Sequence, residues 1–318
     1  MSVIHTITLN PVLDLIYEVE EFQKGTTFRC DDFRLIPAGK GLNVSYALAS
    51  MGEETHAYAF VGWKESDLFS DACREKGIYF HPYVGNFQTR RHCTILERAT
   101  GSTTHVQVKG ETAPIGPIRD LINDLSEQIQ PDDWVVFSGS VPPGLPVTIY
   151  AEMMKRCRRQ GAKTFLDASG EPLIEGVKAA PDFLKVNQLE AEELTGLVID
   201  GVESAAAALK AISSADKPIS RIALSMGKRG LLAAAQDEML HLWIEIDENK
   251  IRDTVGCGDA MVAGLLYGLN HEFNPEAVFR YGIACASAAA LQIGPAHFEW
   301  TDMESMLREA QIQEIQGS

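Results

Sequence analysis

A chain of 318 residues, 45% hydrophobic and 23% charged, is long enough to bury a large core as one α/β domain or two smaller units. Its 28 basic against 44 acidic residues give a formal charge of −16, which disfavours non-specific binding to nucleic acid or to anionic membrane surfaces. Six scattered cysteines, no paired Cys/His spacing, no secretory leader and no apolar run near the ~20 residues of a membrane helix point to a cytoplasmic protein without a zinc centre.

Residues 3–9 are a β-rich run ended by the turn Asn10-Pro11, which predicts a first strand. Over 15–22 and 28–36 apolar and polar residues alternate on either side of Lys24-Gly25, as in a hairpin exposed on one face. The glycine loop Ala38-Gly39-Lys40-Gly41-Leu42-Asn43 then opens a helix whose apolar positions Val44, Ala47, Leu48 and Met51 stop at Gly52. A strand over 55–61, a helix over 66–76 and a strand over 78–83 continue the alternation expected of parallel βαβ units. It breaks at 88–109, where β-rich runs 91–97 and 103–109 flank the turn Ala99-Thr100-Gly101-Ser102. Two hairpins interrupting a βα series are expected to share one small projecting sheet, a lid or a dimer contact.

The rhythm returns with a helix over 117–129, a strand over 133–138, a helix over 146–160 and strands over 163–167, 183–186 and 222–224. Polar loops close these strands: Ser138 to Gly144, Asp167 to Gly170, Asn187 to Glu190 and Ser225 to Gly230. Ligands of open α/β sheets bind outside the carboxyl ends of strands, so these loops should converge on one crevice. Asp253-Thr254-Val255-Gly256-Cys257-Gly258-Asp259-Ala260-Met261 then precedes Val262, Leu265, Leu266 and Leu269 at helical spacing. Asp259 should stand in a first helical turn, with Gly256 and Gly258 letting unpaired N–H groups approach an anion. Taken alone, the stretch is better read as an ordinary cap and tight turn. Helices over 275–293 and 301–313 end the chain.

In order, these loops resemble the signatures of the ribokinase (PfkB) family of carbohydrate kinases over nearly the whole chain. Asp253 to Asp259 matches D-T-x-G-x-G-D, Ala38 to Asn43 resembles G-G-K-G-x-N, and Lys185 to Glu190 resembles K-x-N-x-x-E. Thr89-Arg90, the S-G-S-x-P-P-G loop and the S-x-G-x-x-G loop add to it. The resemblance implies a ribokinase-like α/β fold, a doubly wound, mostly parallel sheet sandwiched by helices. Its core would span 1–9, 38–87 and 110–318, with a β lid of 10–37 and 88–109 through which two copies could pair.

By the same resemblance, Asp259 is the base that takes a proton from a sugar hydroxyl attacking the γ-phosphate of ATP. Backbone N–H groups of Gly256, Cys257 and Gly258 would stabilise charge on the transferred group. An ordinary aspartate, with a pKa of ~3.9, is ionised at neutral pH. Lys185, Asn187, Ser225, Gly227, Lys228, Gly230 and Thr254 fall on the nucleotide side. Asn187 and Glu190 would hold the water shell of Mg²⁺, although N-x-x-E at a helix start is also ordinary capping. Asp14, Gly39, Lys40, Asn43, Ser138 and Gly139 fall on the sugar side.

Arg29 and Arg90 match positions that bind a phosphate already on the substrate, which is typical of the family's phosphosugar branch of 1-phosphofructokinases and tagatose-6-phosphate kinases. The expected reaction is phosphorylation of a ketohexose monophosphate by ATP with Mg²⁺. The alternatives are a kinase of an unphosphorylated sugar or nucleoside and a non-catalytic sugar or nucleotide sensor. Ala38, His92 and Cys257 replace the family's usual glycine, asparagine and alanine or serine, which suggests an altered sugar preference. A P-loop or Rossmann dinucleotide motif is missing.

Overall fold

The computed structural model describes residues 2–31, 33–214, 218–235 and 238–315. Met1, Asp32, 215–217, 236–237 and 316–318, which fall in the expected core and lid ranges, lie outside the described residues. β1 (Ile4–Thr8) is buried along its whole length, as a parallel strand covered on both faces must be. The chain leaves the sheet for β2 (Val12–Val19) and β3 (Phe33–Ala38), then returns through α1 (Lys40–Ser50), β4 (Thr55–Gly62), α2 (Ser66–Glu75) and β5 (Tyr79–Gly85). β6 (Arg90–Glu97) and β7 (Thr103–Val106) make a second excursion.

Alternation resumes with α3 (Ile115–Gln128), β8 (Trp134–Ser138), α4 (Ile149–Arg159), β9 (Lys163–Asp167), α5 (Glu171–Lys178), β10 (Phe183–Asn187), α6 (Gln188–Thr195), α7 (Val202–Ser213) and β11 (Arg221–Ser225). β12 (Leu231–Ala235), β13 (Glu238–Trp243), α8 (Cys257–Asn270), α9 (Pro275–Ala289), α10 (Trp300–Glu309) and β14 (Gln311–Glu314) complete it.

The large sheet has ten strands in the order β14-β13-β12-β11-β10-β9-β8-β1-β4-β5. It is parallel from β11 to β5, and β12, β13 and β14 add antiparallel. From β1 the chain winds outward both ways, so the order reverses between β1 and β8, and the carboxyl ends there are where the ligand crevice of such a sheet is expected. Alternate side chains feed two cores. Val135 belongs to the buried cluster of Ile118, Met153 and Leu209 on one face, and Val136 to that of Leu48, Leu265 and Phe279 on the other.

The two excursions form one separate sheet, β3-β2-β6-β7, in which β2 and β6 run parallel. One expectation needs correction. The final helix stops at Glu309, and 311–314 pair with β13 as an edge strand. The β12/β13 hairpin went unforeseen because the Leu231–Ala235 run is alanine-rich, and a short apolar run does not separate strand from helix.

At the opposite end of the strands from the crevice, His5 of β1 sits beside His56 of β4, and His56 Nδ1 lies 3.1 Å from His81 Nε2 of β5. His5 Nε2 lies 3.3 Å from Asp133 Oδ2. Burial outweighs Asp133 and lowers His5 from 6.5 to about 4. The folded state therefore binds fewer protons than the unfolded chain between these values, so stability is full above pH 6.5 and falls as the pH drops toward 4. His5 alone accounts for up to about 3 kcal/mol. Thermal melts should show Tm falling from pH 7 to pH 5, with a flatter dependence in His5→Gln.

Candidate active site

Asp167 ends β9 with no exposed surface. Its Oδ1 accepts from Lys185 Nζ of the neighbouring β10 at 3.0 Å, and Lys40 Nζ reaches both carboxylate oxygens at 3.2 and 3.1 Å. Lys40 opens α1, and Asn43 stands three residues on, on the same helical face. The Asn43 side chain is fixed at both ends: Oδ1 accepts from Gly39 N–H at 3.4 Å, and Nδ2 donates to Asp259 Oδ2 at 2.7 Å. The starts of α1 and α8 thus meet at the ends of β9 and β10.

The turn into α8 requires glycine. Gly256 is left-handed at φ 81°, and a Cβ there would strike the Pro295–Ala296 backbone. A Cβ on Gly258 would lie 3.1 Å from Lys185 Nζ, so this ammonium sits against the first turn of α8, where free N–H groups already favour an anion.

Burial pushes Asp259 up from 3.8 to about 6, against the pull of Lys40 and the Asn43 hydrogen bond. This replaces the ordinary aspartate value expected from sequence and still leaves the group mostly ionised at pH 7. Burial would also raise Asp167, but Lys185 and Lys40 outweigh it and hold the carboxyl below its usual range. Burial would lower Lys40, but Asp167, Asp259 and Glu190 keep it protonated. About a third of the Lys40 side chain, 35%, remains open to solvent. Burial lifts the Cys257 thiol to about 12, so it is no thiolate.

Asn187 and Glu190 form a capping box: Asn187 Oδ1 accepts from Glu190 N–H at 2.9 Å, and Glu190 Oε2 from Asn187 N–H at 2.8 Å. No group of three or more His, Cys, Asp or Glu among the described residues could hold a metal ion. Mg²⁺ keeps several waters and binds through phosphates, so the buried Glu190 beside the cluster fits a hydrated ion arriving with a nucleotide. Ser225, Lys228 and Thr254 have partners outside the ion-pair cluster. Ser225 Oγ donates to Val186 O at 3.5 Å, the exposed Lys228 meets Glu248 at 2.6 Å, and Thr254 O accepts from Cys257 N–H at 3.4 Å. Gly227 and Gly230 bound a 3₁₀ turn beside Ser225.

On the small sheet, Asp14 is buried and accepts from Thr94 Oγ1 at 3.0 Å, and Thr94 in turn lies 3.1 Å from His105 Nδ1. The Arg90 guanidinium donates to the carbonyls of Asn10 at 2.8 Å, Pro11 at 3.3 Å and Val108 at 3.4 Å. Gly139 packs on Lys40, where an added Cβ would lie 3.4 Å from Lys40 Cβ. Ser138 is buried with its hydroxyl unpartnered. Arg29 is exposed between β2 and β3 and lines a groove with Glu18, Arg34 and Arg98, so the structure does not bring it to the cluster. Asp167 and Thr94 were not singled out from sequence. Asp167 had one legible sign, its place at the end of a strand whose loop faces the crevice.

An aspartate poised near neutrality beside fixed ammonium groups suits transfer of an anionic group to a hydroxyl, the chemistry of an α/β phosphotransferase. The profile of the pfkB family carbohydrate kinases matches residues 7–302, and the chain belongs to that family. It is 29% identical over 299 residues to the 1-phosphofructokinase of Bacillus subtilis, covering 93% of this chain and 95% of that one. Its structure is similar to phosphofructokinase-2 from Escherichia coli in complex with potassium, with a TM-score of 0.90 and 24% identity over 97% of this chain and 99% of that one. A ribokinase from Arabidopsis thaliana complexed with ribose and ATP gives a TM-score of 0.74 at 18% identity, over 97% and 99% of the two chains. The fold is therefore the ribokinase-like one expected from sequence.

Two measurements follow from this geometry. Asn43 donates to ionised Asp259, so Asn43→Ala should raise the Asp259 midpoint above about 6 in a carboxyl NMR titration, and an unmoved midpoint would contradict the assignment. Asp167→Asn leaves two ammonium groups without their shared carboxylate and should lower stability in urea by roughly 3 kcal/mol, less what solvent at Lys40 recovers.

Proposed function

We propose that this kinase transfers the γ-phosphoryl group of ATP to a hydroxyl of a ketohexose monophosphate, giving the bisphosphate. The reaction is of the 1-phosphofructokinase or tagatose-6-phosphate kinase type. The observation that carries the reading is Asp259 at the start of α8, held by Asn43 and lifted to about 6. A base with a pKa just below working pH is mostly ionised yet basic enough to take the proton of an attacking hydroxyl. In this reading the backbone N–H groups of Gly256 and Gly258, with Lys185 against that turn, stabilise the charge that develops on the transferred group, and Cys257 N–H joins them on releasing its 3.4 Å bond to Thr254 O.

Ser225, Gly227, Lys228, Gly230 and Thr254 border the nucleotide, and Lys40, Asn43, Asp14, Gly39, Ser138 and Gly139 border the sugar. Mg²⁺, its waters held by Asn187 and Glu190, neutralises phosphate charge when bound. Arg90 takes the phosphate already present; Arg29, in its separate groove, has no part in this within one chain. Arg90 can do so by releasing its two longest bonds, to Pro11 and Val108.

The name of the Bacillus subtilis relative supports a phosphosugar. Residues 10–37 and 88–109 act as a lid on the core, and exposed Phe33 and Leu35 on the small sheet suit pairing of two lids in a homodimer. Escherichia coli phosphofructokinase-2 has a tetrameric inhibited form. Six unpaired cysteines suit a reducing cytoplasm, and no helix among the described residues is long and apolar enough to cross a membrane.

ADP release should be measured against fructose 1-phosphate, fructose 6-phosphate, tagatose 6-phosphate and free hexoses. One monophosphate should give the highest kcat/KM. Asp259→Asn should lower kcat by roughly 10²–10⁴-fold, and full activity in it would exclude the mechanism. Arg90→Ala should raise KM for the monophosphate, whereas an unchanged KM would favour an unphosphorylated sugar.

A further inference from the structure

Along β6 the side chains of Arg90, His92 and Thr94 share one face, because alternate residues of a strand point the same way. Thr94 shows which way that face looks, since its hydroxyl reaches Asp14 of β2 at 3.0 Å. Arg91, on the other face, turns instead toward Glu65 at 3.6 Å. His92 is also the direct register partner of Asp14 across the parallel β2/β6 pair, so its ring stands between Arg90 and Thr94 and beside Asp14.

His92 Nε2 lies 3.4 Å from the Val108 carbonyl, and Arg90 Nη1 lies 3.4 Å from the same oxygen. A carbonyl can only accept, so Nε2 carries the proton in that contact. Two donors from one face therefore converge on one acceptor at long hydrogen-bond distance. A phosphate oxygen, charged and bearing more lone pairs, would compete well with that carbonyl for both.

We propose that His92 is a specificity-determining residue of this kinase, reading with Arg90 the phosphate that the sugar already carries. The inference rests on the hexose monophosphate reading above and adds a residue to it. The charged and titratable groups facing the ring are Arg90 on its own strand, Asp14 on β2 and His105 on β7. Burial first, and Arg90 second, lower the imidazole below its ordinary value. The contact needs only the Nε2–H as donor, so an asparagine amide would be its nearest functional substitute.

The test compares wild type, His92→Ala and His92→Asn by calorimetric Kd and steady-state KM. The ligands are fructose 1-phosphate, fructose 6-phosphate, tagatose 6-phosphate and free fructose. Removing the donor should weaken the preferred monophosphate roughly tenfold or more, the scale of one charge-assisted hydrogen bond, and weaken free fructose far less. His92→Asn should recover most of the loss. Equal weakening of both ligand classes, or of neither, overturns the role of His92 while leaving the proposed reaction standing. A wild-type protein that neither binds nor turns over any of the three monophosphates overturns the reaction and this inference together.

Discussion

Asp167 accepts through one oxygen from Lys185, on the strand beside it, and through both from Lys40, on the helix that follows β3 in sequence. A carboxylate with no exposed surface is tolerated only if paired, and here the two cations are themselves in need of a counter-charge. The three charges lock α1 to the ends of β9 and β10. They also fix where α8 can begin, because Gly258 has to pass over Lys185 Nζ with no side chain between them. Asn43 then inherits its position from α1, and Asp259 from α8.

The same cluster separates the roles of two buried aspartates. Both lose hydration, which by itself raises a carboxyl. Asp167 touches two ammonium groups and ends below its usual range, whereas Asp259 touches one neutral amide and ends near 6. A group held permanently charged can anchor neighbours but is a poor proton acceptor, while one near neutrality can take a proton and return it. The number of cations in contact decides which is which. Exchanging the two environments would exchange the roles.

The βα rhythm was legible because its strands are short, apolar and bounded by turn residues: β9 was read at 163–167 and is found at Lys163–Asp167. The antiparallel edge was not. Residues 311–314 continue an amphipathic helical pattern, and only a neighbouring strand distinguishes the two states. The glycine turn and the place of Asp259 in the first turn of α8 could be read because their backbone demands are local. Asp167 could not, since its meaning depends on Lys40, 127 positions away in the chain. Asn187 and Glu190 show the converse: the local capping pattern was visible, and in the structure these two residues do satisfy each other.

The residues proposed to border the sugar divide between two separate hydrogen-bonded sets. Lys40, Asn43 and Asp259 belong to the large sheet's ion-pair cluster, whereas Asp14, Thr94 and His105 form a chain within the small one. Thr94 has a single hydroxyl proton. The Asp14 carboxylate can only accept, so that proton points to Asp14, and His105 Nδ1 must donate to the Thr94 oxygen from the other side. The order of donors along this chain is thus fixed, and Asp14 is oriented by β6 and β7 rather than by the core. Any displacement of one sheet against the other would change the spacing between Asp14 and Asp259 while leaving each set internally intact.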